Sequence, residues 1–395
     1  MKVIYLSPYF WPEVIGSAKY CTDVAQYLAG RKHDVIAYAF RPHYPTVDGF
    51  EAWRDGSRDK ERYEGITLYR VPSVQRKNGG FGARFKNDFT FFSRIVIAAF
   101  SKESQGADVV VAYIPSILTA LSGYIISLIR GARLIVVVHD IESGLAKSLG
   151  IVTMPLLVKF MSFLEKIVLN RADRIIVLTD GMRKYLIRNG VRREIIVLPI
   201  WSTLSELKSE QKKSISIGYS GNFGKKQNID QILPLIKDIG DKYSNSQIIL
   251  RGNGSEKARI IQEIDKFDIK NVQFLDLAPT EKLSAALQEI DIHLVPQAVD
   301  TGDYAVPSKL VSIMAVGRPF VCIAEAGSTI DMISKESGAG ICVPNGNYAM
   351  LFSAVAELFE DSEKRSEMGR KGQDYVRLHL DREIIMEKYA GVIEG

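Results

Sequence analysis

Cysteine is scarce in this chain. Three occur in 395 residues, Cys21, Cys322 and Cys342, and no CxxC pair is among them. An odd number without paired spacing points to neither a disulfide framework nor a zinc site, and fits a reducing cytoplasm. Low-complexity tracts, heptads and collagen-like repeats are also missing. No GxGxxG follows the first apolar run, Val3–Leu6, which argues against a dinucleotide dehydrogenase. That run is too short for a signal peptide and reads as a buried first strand. Only 109–129 raises the question of a membrane span, with 21 residues free of charge. Its interior answers it: Val109–Ile114 is β-branched, Pro115 breaks the run, and Ser116, Thr119, Ser122 and Ser127 follow. A strand and then a helix inside an α/β core is expected.

What is present is ordinary in bulk and uneven in detail. Apolar residues make up 46% and charged residues 25%, as in soluble globular proteins, and the length suits two or three domains. The net charge of +5 divides into +10 over residues 1–200 and −5 over the rest. A basic first half suggests an anionic partner: lipid headgroups, a diphospholipid substrate or nucleic acid.

Strand and helix signals alternate along the first half. Val3–Leu6, Val35–Phe40, Ile66–Val71, Val109–Ile114, Leu134–Val138, Arg174–Leu178 and Glu194–Leu198 read as strands. Ser17 is expected to cap a helix with the stripe Cys21, Val24, Ala25 and Leu28, ending at Gly30. Residues 41–65 are polar and read as a long loop. A break follows Pro199, and 200–213 reads as a linker. Alternation then restarts with Ser216–Tyr219, Gln247–Leu250, Val272–Leu275, Ile292–Val295, Phe320–Ile323 and Gly340–Val343. Such alternation implies parallel sheets covered on both faces, hence two α/β, doubly wound domains with ligands at the carboxyl ends of the strands.

Six segments could carry chemistry. In Pro12–Ala18, between the first strand and helix, Gly16 allows close backbone approach beside a helix N-terminus, and Glu13 precedes it. In Ser220–Asn228, Gly221, Asn222, Lys225 and Lys226 suit a phosphate, although the GKS/T ending of a Walker loop is absent. Arg251, Gly252 and Gly254 follow the next strand and would let a flat base approach. In Asp303–Leu310, Pro307 opens a helix, the N–H groups of Ser308, Lys309 and Leu310 are left for a diphosphate, and Lys309 adds charge. Asp303 is free to bond sugar hydroxyls. His139, Asp140 and Glu142 stand at the end of an apolar strand, where His139 could stabilise developing charge and Asp140 or Glu142 could take a proton. Finally, basic residues from Arg76 to Lys86, the phenylalanines Phe89, Phe91 and Phe92, and the run 154–164 suit an anionic membrane surface or a helix interface.

Together these pieces resemble the family 4 glycosyltransferases of the GT-B fold, and within them the colanic-acid-type fucosyltransferases and O-antigen or capsule enzymes. The resemblance spans the chain. It is carried by SGNFGKKQN at 220–228, NVQFLDL at 271–277, IHLVPQ at 292–297, and DYAVPSKL with IMAVGRP within 303–319. FLEK and RADRIIVLT within 163–179 and LPIWS at 198–202 also match.

The resemblance implies an acceptor domain at 1–200, a nucleotide-sugar domain at 201–375 and a C-terminal helix at 376–395 returning to the first domain, the domains facing across a deep cleft. It implies a UDP- or GDP-sugar donor, an L-fucose-like or N-acetyl-L-fucosamine-like sugar, retention of configuration, and no metal or other cofactor. Carried onto this chain, Lys309 and the Ser308 backbone hold the diphosphate with Gly16, and Asp303 contacts the sugar. His139 lies by the reacting sugar, and Gly252, Gly254, Phe274 and Leu275 border the base. Glu13 and Glu142 are expected on the acceptor side. Partners are a lipid-diphosphate-linked or saccharide acceptor and the cytoplasmic face of an inner membrane, with no nucleic acid. Two positions depart from the pattern. Ser312 stands where many members carry a ribose-gripping glutamate, and Asn222 where many carry an arginine. Rival expectations are a sugar-nucleotide epimerase on the same scaffold and a non-catalytic sugar-nucleotide-binding membrane scaffold.

Overall fold

The computed structural model describes residues 1–13, 16–43, 49–73, 81–141, 143–144, 155–202, 204, 214–269, 271–299 and 308–395. The chain divides into two compact units, Met1–Pro199 with Glu383–Gly395, and Ile200–Arg382.

The first unit holds β1 (Lys2–Leu6), β2 (Asp34–Phe40), β3 (Lys60–Tyr63), β4 (Ile66–Val71), β5 (Val109–Ile114), β6 (Arg133–Val138), β7 (Arg174–Val177) and β8 (Ile195–Val197). Their order is β3-β4-β2-β1-β5-β6-β7-β8. All neighbours are parallel except the hairpin β3–β4. The central strands are apolar at successive positions because helices cover both faces; all six residues of Val109–Ile114 are buried. The charge-free run resolves into this strand and the 14-residue helix Ile117–Arg130. Among the described residues no helix is long and apolar enough to cross a membrane.

The second unit holds β9 (Ser216–Ser220), β10 (Gln247–Arg251), β11 (Val272–Leu275), β12 (Ile292–Pro296), β13 (Phe320–Ile323) and β14 (Gly340–Val343), ordered β11-β10-β9-β12-β13-β14. Every neighbouring pair is parallel. One apolar core joins Ile217, Ile248 and Ile292 of the sheet to Leu235 and Ile239 of the helix Leu233–Lys242 and to Val355 and Leu358 of the helix Tyr348–Glu360. Both units are therefore doubly wound and Rossmann-like. In the second, the chain runs outward from β9 through β10 to β11 and then returns to β12 on the other side. The loops leaving β9 and β12 thus flank a topological switch point, where such sheets bind ligands.

Four expectations need correction. Residues 41–65 are not one loop: they contain a 3₁₀ turn at Glu51–Trp53 and the strand β3, whose KERY sequence hides it. A strand at a sheet edge needs no apolar run, and Arg70 on β4 meets Glu61 on β3 at 2.8 Å with its own side chain fully buried. Ser17 makes no side-chain cap; its backbone is already helical, so its hydroxyl is not placed over the first N–H groups. The mostly polar segment 200–213 opens on core residues, because Ile200 and Trp201 are buried. A boundary at 376 falls inside the helix Ser362–His379; the last helix is Arg382–Glu394. Arg31 pairs with Glu387 and Glu394 of that last helix.

Candidate functional site: a glycine-lined cationic cradle

In the second unit, the loops leaving β9 and β10 are tied together by main-chain bonds. Gly221 N–H donates to Arg251 O at 2.9 Å, Phe223 N–H to Asn253 O at 2.8 Å, and Glu256 N–H to Phe223 O at 2.9 Å. Gly252 N–H continues the ladder to Leu275 O of β11 at 2.9 Å. Side chains would prevent this approach. A Cβ at Gly252 would lie 1.8 Å from Gly221 O, and one at Gly254 2.4 Å from Phe223 O. The glycines thus first serve loop-to-loop contact.

Lys309 lies over this floor. It is the second residue of the helix Ser308–Ala315. Its Nζ would be 2.8 Å from a Cβ at Gly221, donates to Tyr219 Oη at 2.8 Å, and sits 4.0 Å from the centre of the Tyr219 ring. Tyr219 Oη in turn donates to Asn222 O at 2.6 Å, and Phe223 meets the Tyr219 ring edge-on at 5.3 Å. A neutral phenol and a π-face hold the amine without neutralising it. Burial pushes the Lys309 amine down to about 7. The first-turn N–H groups of its helix have no intrahelical acceptors, so a cation and a helix N-terminus converge above the glycine loops. That combination suits a diphosphate.

The other expected donor residues are placed unequally. Asn222 and Lys225 are exposed, and Lys226 is half-buried with its carbonyl accepting Ala298 N–H at 2.9 Å. Ser308 is exposed and Ser312 half-buried on the same helix, whereas the Leu310 side chain is in the core, leaving its backbone N–H as its means of contact. Phe274 and Leu275 are half-buried on β11, with Phe274 packed against the core. The Arg251 guanidinium pairs with Glu289, while its buried Nε has no partner among the described residues. Asp303 and Pro307 lie outside the described residues. Tyr219 and Phe223 were not singled out from the sequence, where they read as strand and loop hydrophobics. Gln227, also missed, has a buried Oε1 without a partner among the described residues.

In the first unit, His139 follows β6 directly and its N–H donates to Ile114 O at 3.2 Å. It is buried against Tyr113 and Tyr20, ring centres at 5.2 and 5.9 Å. Burial pushes the imidazole down to about 4, with Asp140 opposing weakly, so it is neutral at pH 7. Its Nε2 is buried without a partner among the described residues. Asp140 is half-buried beside it. Glu13 is buried, and its carboxylate accepts His43 N–H at 2.8 Å with His43 Nδ1 at 3.6 Å. His43 went unnoticed in the sequence because 30 residues separate it from Glu13. Gly16 has φ +66° and open space where a Cβ would stand. Glu142 lies outside the described residues. No three of His, Cys, Asp and Glu are grouped as metal ligands among the described residues.

Two Rossmann-like units, one carrying a lysine and glycine cradle at its switch point, define a doubly wound α/β protein with a candidate anion site. The comparisons with known proteins specify it. The model of the glycosyl transferase 4-like domain matches residues 16–201, and that of glycosyl transferases group 1 matches 203–375. The chain belongs to the family 4 glycosyltransferases of the GT-B fold. It is 24% identical to the putative colanic acid biosynthesis glycosyl transferase WcaI of Escherichia coli (strain K12), over the full length of both. Sucrose-phosphate synthase from Thermosynechococcus elongatus is similar in fold, with a TM-score of 0.79 at 16% identity, covering 99% of this chain and 98% of that one. HepE of Anabaena, solved in complex with UDP-glucose, gives a TM-score of 0.72 at 14% identity over 100% and 99%.

Proposed function

We propose that this glycosyltransferase takes an L-fucose-like or N-acetyl-L-fucosamine-like sugar from a UDP- or GDP-sugar. It delivers that sugar, with retained configuration and without a metal, to a lipid-linked or saccharide acceptor. The setting is bacterial surface polysaccharide synthesis of the O-antigen or capsule kind, at the cytoplasmic face of the inner membrane. The colanic acid relative supports the setting, and the UDP-glucose complex of HepE supports the donor class.

The Lys309–Tyr219–Gly221 cradle carries the reading. Cleavage of the anomeric bond places negative charge on the departing diphosphate, and fixed N–H dipoles with a lysine stabilise it. Asp303 contacts the sugar hydroxyls. The neutral His139, whose Nε2 has no partner among the described residues, and Asp140 serve the reacting groups, while Glu13 and Glu142 face the acceptor. Retention follows from same-face attack, with a donor phosphate oxygen receiving the acceptor's proton.

Calorimetric titration with UDP, GDP, ADP and TDP identifies the base, and product analysis with and without acceptor identifies the reaction. We expect Lys309→Ala to weaken diphosphate binding about a hundredfold, the scale of a lost charged contact, and to abolish transfer. Unchanged binding in that variant overturns the cradle. A modified donor sugar formed without acceptor makes the protein an epimerase. A covalent glycosyl adduct on Asp303 or Asp140 replaces same-face attack with double displacement.

A further inference from the structure

Three neighbouring helices of the first unit are apolar on two sides. Phe81–Ala98 packs beside Ile117–Arg130, which packs beside Pro155–Leu169. Each has an inward face in the core, marked by Phe91 and Ile95, by Ile126, and by Val168 and Leu169. The outward face of a surface helix is ordinarily polar. Here Leu156, Phe160, Phe163 and Ile167 are all exposed at spacings of four, three and four, which aligns them as one stripe. Phe85 and Phe89, one turn apart, form a second stripe on the first helix with stacked rings 6.3 Å apart. Leu128, 63% exposed, lies on the helix between. Single exposed apolar residues are commonplace, but stripes on two helices that flank a common neighbour are not. The structure also trims the sequence reading of this region: Phe91 is buried and Phe92 half-buried, so Phe89 alone of that trio is exposed.

Charge selects the occupant. Among the described side chains of these three helices, the exposed ionised groups are Lys86, Arg94, Lys159 and Lys166, all cationic. Asp88 is half-buried, and Glu165 is buried, accepting Ser143 Oγ–H at 2.6 Å. Aromatic and aliphatic stripes flanked by cations and free of exposed carboxylates match an anionic lipid interface. A second copy of the face would bring cations against cations. No described helix is long and apolar enough to cross a bilayer, so the face lies on it.

We propose that the face formed by Phe81–Ala98, Ile117–Arg130 and Pro155–Leu169 seats the protein on an anionic bilayer, with Phe160, Phe163, Phe85 and Phe89 entering the headgroup–acyl boundary. This deepens the proposed membrane setting and is independent of the sugar chemistry.

The test is flotation of the full chain with vesicles of phosphatidylcholine alone or with phosphatidylglycerol added. The wild type floats with the mixed vesicles and is released by high salt. The pair Phe160→Ser and Phe163→Ser is exposed and leaves folding intact, and it lowers partitioning at least about tenfold, the worth of one buried ring. Lys159→Glu with Lys166→Glu removes the preference for phosphatidylglycerol. Nucleotide binding in solution is unchanged in both pairs, so failure of this surface and failure of the donor reading are told apart. Wild-type protein that stays unbound with phosphatidylglycerol vesicles, or a Phe160/Phe163 pair that binds them equally well, overturns the proposal. So does a dimer in light scattering that the phenylalanine substitutions dissolve while vesicle binding is absent.

Discussion

Lys309 is held in a condition that a folded chain on its own does not favour. Its amine is desolvated, bonded to a phenol, and pushed down to about 7, well below the 10.5 of an exposed lysine. The unfolded chain therefore binds more protons than the folded one between about pH 7 and 10.5, and stability contributed by this group rises with pH across that window. Lys309→Met is expected to raise the melting temperature of the free protein at pH 7 and to remove that slope, as read by scanning calorimetry. A bound diphosphate reverses the balance by favouring the charged amine. Binding then takes up a proton above pH 7, and affinity is flat below that value and falls up to about tenfold per unit above it. Titrations in buffers of different ionisation enthalpy measure that proton directly.

Gly252 gives a second test at this scale. Its φ of +151° and the 1.8 Å that a Cβ would leave to Gly221 O mean that Gly252→Ala must force the two loops apart. We expect nucleotide binding to be lost with a stability cost of about 1–3 kcal/mol, seen as a lower urea midpoint together with an absent calorimetric signal.

Among the elements, β3 shows how far charge can mask a strand. KERY offers no apolar alternation, yet Glu61 on it accepts from Arg70 and from Trp53 Nε1, while Arg70 also reaches Phe40 O and Trp11 O. The partner of a buried charge is identified by pairing across strands, which a linear reading of 41–65 does not contain. Glu61→Ala leaves that guanidinium buried without its carboxylate and is expected to cost about 3 kcal/mol, measured by urea unfolding. The elements that were legible are those whose burial dictates composition: VVVAYI must be apolar at every position to sit between two helical layers. The glycine loops were legible for a related reason, since only glycine tolerates the main-chain contacts made at 252 and 254.

On the scale of the whole chain, the first unit is completed by the last thirteen or so residues. The helix Arg382–Glu394 buries Ile385, Met386, Tyr389, Ala390 and Ile393, and Glu394 accepts from both Arg31 and His33. Truncation after Asp381 is expected to expose that core and to destabilise the first unit by several kcal/mol, on the order of 1.5–3 for each large side chain uncovered. Limited proteolysis should then cut within residues 1–199 while the second unit stays protected.

Sequence by itself determined the two successive β-α alternations, the glycine positions and the placement of Lys309 at a helix start. Each is a local demand of burial period, backbone space or helix geometry on particular residue types. Tertiary structure alone decided what those residues meet. Tyr219 holds Lys309 across 90 positions, Glu289 pairs with the Arg251 side chain, and Glu13 finds His43. It also decided which phenylalanines face outward, because a helix buried on one side and bare on the other has the same apolar composition as one buried on both. The physical reason is common to all of these: partners joined across a sheet are chosen by strand order and register, and neither leaves a mark on the segment where each residue lies.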